Sequence, residues 1–278
     1  MTANRPLRLL VVAAHPADAF DCAGGTIAKH TKKGDDVQLV SVTHGARSHA
    51  PNVYGDKQQT LDDNAERELL EEIIRQKKVE LEEAAAAVGI SRTHWLAEED
   101  EPYVLSKQTI YNLAQIYREV RPDVLITHHP TERNHHDHPV VGDAAVRASV
   151  TAARWLKGSR LAPFQIPTLY FFGTQDRRAS TLLSGVIGLP ASHVIDVTDA
   201  IEEKKASLAR FGTQKYLGAS YSSPEYMNRR IEALEGYWGL MNGPRYAEEF
   251  IAAQPHQLAS DRQPQRLQNQ ALCSLSHT

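Results

Sequence analysis

Six short runs rich in aliphatic and β-branched residues, most of them followed by a stretch with helical spacing, constrain this chain more than any other feature. They cover residues 8–15 (RLLVVAAH), 37–45 (VQLVSVTHG), 93–98 (THWLAE), 123–129 (DVLITHH), 168–174 (TLYFFGT) and 193–199 (HVIDVTD). Helical spacing falls at 23–33, 60–88, 106–119, 138–157 and 198–211. Strands that are apolar along most of their length are buried on both faces. Alternating with helices, they predict an α/β fold with a mostly parallel sheet flanked by helices.

That architecture fixes where a ligand would sit. Open α/β sheets bind ligands outside the carboxyl ends of their strands, near a reversal of strand order. His15 and Asp18 follow the first run, His44 to His49 the second, and His128 to His138 the fourth. Three histidine-bearing loops are therefore expected at one edge of the sheet.

Composition removes several classes of function. With 31 Lys and Arg against 34 Asp and Glu and a net charge of −3, no basic surface for nucleic acid is expected. No apolar run approaches the roughly 20 residues that span a bilayer, and no signal-peptide layout precedes the first strand. A cytoplasmic protein with no membrane partner is the expectation. The length of 278 residues suits one domain, read as 1–253, followed by a polar, Gln-rich flexible tail at 254–278. The stretch from Ser222 to Ala252 reads as helices, capped by Ser222 or Ser223 with Pro224 in the first turn. Cys22 and Cys273 cannot build a disulfide framework or a cysteine zinc motif. Histidine is the informative residue, and any metal here would be held by nitrogen and carboxylate oxygen.

In the first loop, "HPAD" places His15 and Asp18 three residues apart, and "ERNHHDHPVVG" presents His135, Asp137 and His138 just before a helix. Two neutral imidazoles and a carboxylate are an open ligand set for catalytic zinc, and His15, Asp18 and His138 would supply it. A metal so held would activate water or polarise a substrate carbonyl or carboxylate. Asp137 reads either as the partner that orients a ligating imidazole or as an N-cap for the next helix. Gly24 and Gly25 would let the first helix pack closely or offer free N–H groups to an anion, but they lack the dinucleotide fingerprint.

These motifs resemble the PIG-L/LmbE family of metalloenzymes, which pairs a first-loop His-Pro-Asp-Asp with a Gly-Gly and a later His-x-Asp-His. The resemblance covers residues 7 to 150. It implies a Rossmann-like fold, zinc or another divalent ion on His15, Asp18 and His138, an oxyanion-steadying histidine at His135 and, most often, N-deacetylation of amino sugars. Family analogy also implies a homo-oligomer.

Ala17 breaks the pattern. It stands where the family carries the aspartate that takes a proton from the attacking water, and a methyl group accepts no proton. General-base catalysis supplies about 10²–10⁴-fold, so the usual amide cleavage would need another base. The chain is similar, in "HPAD", "HGARSHAP" and "DHP", to a branch of 4-oxalomesaconate hydratases of aromatic-acid catabolism. That branch adds water to an unsaturated oxo-polycarboxylic acid. On this reading the substrate is a small anion, Arg47 anchors a carboxylate, and His135 and His49 handle protons. The "GARSHA" turn lacks the acidic residues that the branch favours, and His135 matches the deacetylases. Two other readings stand beside it: a zinc amide hydrolase with a relocated base, and a binding protein that has lost catalysis.

Overall fold

The computed structural model describes residues 5–48, 62–132, 135–156, 158–173, 191–214 and 223–253. Seven strands, β1 (Arg8–Ala13), β2 (Asp36–Thr43), β3 (Arg92–Glu98), β4 (Val124–Thr127), β5 (Thr168–Phe172), β6 (His193–Asp196) and β7 (Ala247–Ala252), form one sheet in the order β3-β2-β1-β4-β5-β7-β6. Pairings from β3 through β5 are all parallel, and only β7 runs against its neighbours. The helices are α1 (Asp18–Lys32), α2 (Asp63–Ala87), α3 (Lys107–Val120), α4 (Asp137–Ala152), α5 (Ile201–Leu208) and α6 (Pro224–Asn242). This is the α/β architecture expected from the alternation.

Period-two alternation divides the core into two layers. Leu9, Val11 and Ala13 of β1 join Leu39, Ile126 and Phe172 beneath Ile27 of α1, Leu81 of α2, Ile201 of α5 and Ile231 of α6. Leu10 and Val12 point the other way, with Val40 and Leu125, onto Leu113 and Tyr117 of α3 and Val141 and Ala145 of α4. The apolar side of α2 also reaches the loop after β2, where Ile73 packs on Ala46.

Side-chain caps set the starts of three of the six described helices. Asp62 caps α2, Ser106 caps α3, and Ser223 caps α6 with Pro224 in its first turn. The predicted helix at 198–211 is a 3₁₀ turn at Thr198–Ala200 followed by α5. One expectation is overturned: residues 247–252, read as helix, form β7, inserted between β5 and β6. The adjacent Glu248 and Glu249 hid its alternation, yet both are buried.

Glu248 has a definite task. Helix α1 kinks at Ala23, whose φ of −145° is non-helical. The kink frees the N–H groups of Gly25 and Thr26, and both donate to the Glu248 carboxylate at 2.9 and 2.8 Å. A Cβ on Gly25 would lie 2.6 Å from Val197 Cβ. The glycine pair thus allows close packing and presents N–H groups to an anion that the chain itself provides. No helix among the described residues is long and apolar enough to cross a membrane.

Candidate metal centre

Strand order reverses between β1 and β4, so the loops after these two strands open onto one crevice. After β1 the backbone turns at once: Asp18 N–H donates to His15 O, and His15 N–H donates to Asp18 Oδ2 at 2.7 Å. Closing that turn carries the Asp18 carboxylate inward. Its Oδ2 lies 3.1 Å from His15 Nδ1, 3.4 Å from His138 Nε2 and 3.3 Å from His128 Nε2. His138 comes from the first turn of α4. A Cβ on Gly142 of this helix would be 2.4 Å from His128 O, so only glycine lets α4 approach the β4 loop this closely.

Hydrogen bonds decide which imidazole nitrogens are free. His138 Nδ1 is 2.6 Å from Glu132 Oε1, which leaves Nε2 facing Asp18. His15 Nε2 is 3.2 Å from Asp137 Oδ2, which leaves Nδ1 facing Asp18. Each candidate ligand therefore has a carboxylate on its far nitrogen, the arrangement that fixes tautomer and ring orientation in metal sites. His128 differs. Ala14 N–H donates to its Nε2 at 3.1 Å, so the lone pair on that nitrogen is taken and the ring serves as a wall.

Donor atoms converge within 4.8 Å in two overlapping groups here, His15 with His135 and His138, and Asp18 with His128 and His138. Ligand atoms bound tetrahedrally at 2.0–2.2 Å stand roughly 3.3–3.6 Å apart, close to the separations of 3.1 and 3.4 Å about Asp18 Oδ2. Burial works against charge on His15 and His138, but Asp18 and the other carboxylates outweigh it, pushing His15 up to about 9 and His138 up to about 10. The Asp18 carboxyl lies well below its usual range: both imidazolium charges overcome its burial. A metal entering this cluster displaces those protons, so its uptake tightens as pH rises.

Asp137 is fully buried, and its Oδ1 and Oδ2 accept the N–H groups of Tyr103 and Glu101 at 2.7 and 3.1 Å besides holding His15. It begins α4 but does not cap it; His136 occupies the cap position without a side-chain bond. His135 stands 4.6 Å from the His15 ring and 5.0 Å from the His138 ring, centre to centre. Its Nδ1 accepts Asp137 N–H at 3.2 Å, which leaves Nε2–H as a donor, 3.4 Å from Glu101 Oε2. Arg47 is less available than its sequence position suggests. Its Nε pairs with Glu99 at 2.8 Å, and Nη1 lies 3.8 Å from Glu66. His49 lies outside the described residues.

Sequence reading missed Glu132, Ser48 and Asp100. Asp100 accepts from Ser48 N–H and Oγ at 2.7 and 2.6 Å and lies 2.9 Å from His44 Nδ1. Ser48 Oγ is in turn 3.2 Å from His15 Nε2. Glu132, six residues before His138, was a legible partner for it. Burial would raise the Glu132 carboxyl, but His138 and His128 hold it down at about 2. Glu132→Gln is expected to weaken metal affinity by about 10–100-fold, read by competition with a chromophoric chelator.

Fold and site together define a candidate metalloenzyme, with a His/Asp/His cluster at the switch point of a parallel sheet. The chain belongs to the family described as PIG-L, GlcNAc-PI de-N-acetylase, whose model matches residues 10–149. It is 28% identical over 143 residues to the 4-oxalmesaconate hydratase of Pseudomonas putida, covering 51% of this chain and 52% of that one. The match thus spans about half the length of that hydratase. It is also 28% identical over 211 residues to the 1D-myo-inositol 2-acetamido-2-deoxy-alpha-D-glucopyranoside deacetylase of Mycolicibacterium gilvum, covering 69% of this chain and 68% of that enzyme. Among solved structures, GalB, the 4-carboxy-2-hydroxymuconate hydratase of Pseudomonas putida, superposes with a TM-score of 0.72 at 21% identity, over 91% of this chain and 99% of GalB. At that identity the likeness is one of fold. These relatives are enzymes, both hydratase and deacetylase.

Proposed function

We propose that this chain is a divalent-metal hydratase that adds water across a carbon–carbon double bond conjugated to a keto-carboxylate. The observation that carries the reading is Ala17. Its methyl is 1% exposed and packed into the apolar layer under α1, where the deacetylase pattern requires a carboxylate. The buried acids around the cluster do not replace it. Asp137 is held by His15 and two backbone N–H groups, Asp100 by Ser48 and His44, and Glu132 by His128 and His138. The likeness to the Pseudomonas putida hydratase supports the same choice.

In this reading His15, Asp18 and His138 hold the ion, with Asp137 and Glu132 fixing the two imidazoles. When bound, the ion supplies Lewis-acid polarisation of the substrate's oxygen atoms. Hydration breaks one O–H bond of water, forms a C–O bond at one alkene carbon and delivers a proton to the other. His135 Nε2–H stands beside the cluster to donate to an oxygen that gains charge or to pass on that proton. Burial and the charges on His15 and His138 lower His135 to about 4, so it works as a neutral imidazole. Anchoring a substrate carboxylate on Arg47 requires the guanidinium to leave Glu99.

The test is a parallel assay, following loss of enone absorbance with oxo-polycarboxylates and acetate release from N-acetyl amino sugars. Hydration without acetate release is expected; acetate release alone would overturn the reading. Ala17→Asp, which restores the carboxylate of the deacetylase pattern, is expected to raise acetate release by up to about 10²-fold over background without raising hydration.

A further inference from the structure

Beside the inner cluster lies a second group of ligand-type side chains that the proposed reaction leaves unused as a set. Glu101, His135, His136 and Asp137 each offer a donor atom within 4.8 Å of the others. Glu101 lies between two histidine rings: its Oε2 is 3.4 Å from His135 Nε2, and its Oε1 is 3.2 Å from His136 Nε2. The two rings stack with centres 4.7 Å apart and planes inclined by 21°, so both edges face the same carboxylate. Asp137 Oδ1 lies 3.4 Å from His136 Nε2, but its bond from Tyr103 N–H makes it a neighbouring charge more than a free ligand.

We propose that Glu101, His135 and His136 form an outer binding site for a second divalent ion of the zinc type at the rim of the crevice. Two imidazole nitrogens and one carboxylate are a complete protein ligand set for zinc, with a position left for water. Nitrogen donors select against magnesium and calcium. The contacts of 3.2 and 3.4 Å run to the two oxygens of one carboxylate, and the donor atoms of all three side chains lie within 4.8 Å of one another, close enough to share one small ion. Access is open from solvent, since the His136 side chain is 52% exposed. An exposed His–Glu contact by itself contributes little to stability, so the convergence of both rings on Glu101 has no strong structural cause.

His135 couples the two sites. Ligation at its Nε2 transfers the ring proton to Nδ1 and gives up the bond from Asp137 N–H. The outer site is therefore the weaker of the two. Filling it also removes the Nε2–H donor from the crevice, so excess metal inhibits; this last step rests on the role proposed above for His135, whereas the binding does not.

The experiment is a zinc titration of tag-free, chelator-stripped protein against a chromophoric chelator, with wild type, His136→Ala, Glu101→Gln and Asp18→Asn compared. Wild type is expected to bind two equivalents, the second more weakly. His136→Ala and Glu101→Gln should each lose the weaker equivalent and keep the tighter, while Asp18→Asn loses the tighter alone. With turnover as a second readout, His136→Ala should raise the half-inhibitory zinc concentration by about tenfold. A weaker equivalent that survives unchanged in both His136→Ala and Glu101→Gln, or a wild type that binds only the equivalent Asp18→Asn removes, would overturn the outer site. If Asp18→Asn changes nothing while His136→Ala loses one equivalent, the outer site stands and the inner assignment fails.

Discussion

Asp18→Asn is expected to leave the protein folded but unable to hold an ion at the proposed inner cluster, with kcat/KM lowered by more than the roughly 10–100-fold that losing an orienting partner costs. The reason is the position of one oxygen. Asp18 Oδ2 faces His15 Nδ1, His128 Nε2 and His138 Nε2, all within 3.4 Å, and it is the sole anionic member of the proposed ligand set. An amide carbonyl can still accept the bond from His15 N–H, so the turn after β1 survives. What disappears is the charge that holds His15 and His138 as imidazolium in the metal-free state and balances the cation in the loaded one. Zinc content by mass spectrometry and the far-ultraviolet circular dichroism spectrum separate the two outcomes. A folded variant that keeps the tighter of the two equivalents would remove Asp18 from the ligand set.

The approach of Asp18 to His138 was legible in the sequence because it depends on rules that act locally. Runs such as RLLVVAAH and DVLITHH declare buried parallel strands, and parallel strands deliver their following loops to one edge. The motif resemblance then named the same residues. Partners that satisfy those residues from elsewhere were harder to read. Asp100 belongs to no motif, yet it is 1% exposed because Ser48 and His44 close on it. Arg47 looked free because Glu66 and Glu99, which hold it, belong to other elements. Strand β7 was hidden for the same reason. A Glu-Glu pair in the middle of a buried strand contradicts strand patterning unless its partners are known, and those of Glu248 lie in α1 and α5.

That buried acid sets the other large effect. Lys204→Met is expected to cost about 3–5 kcal/mol, the usual result of removing one member of a buried ion pair, and to lower the melting midpoint by roughly 10 °C. Lys204 is fully buried, and its Nζ donates to Asp21 O and Glu248 Oε1, both at 2.7 Å, and to Glu235 Oε1 at 2.8 Å. Methionine fills similar space but leaves two carboxylates facing each other in the core. The pH dependence identifies this cause. In the wild type, burial, together with Glu248 and against the pull of Lys204, raises the Glu235 carboxyl to about 7. A carboxyl raised above its unfolded value favours the fold below the unfolded pKa and loses that contribution as pH climbs through the folded one. Wild-type stability therefore declines between about pH 4.5 and pH 7 on account of Glu235. Without Lys204 the folded pKa moves higher still, so the variant's deficit should be small at pH 5 and largest at pH 8. Adding Glu235→Gln to Lys204→Met should recover part of the loss, because it removes one of the two opposed charges. A deficit that is equal at both pH values would assign the loss to packing. The same variant should also loosen metal retention, since Lys204 and Glu248 brace α1 on either side of its kink and Asp18 is the first residue of that helix.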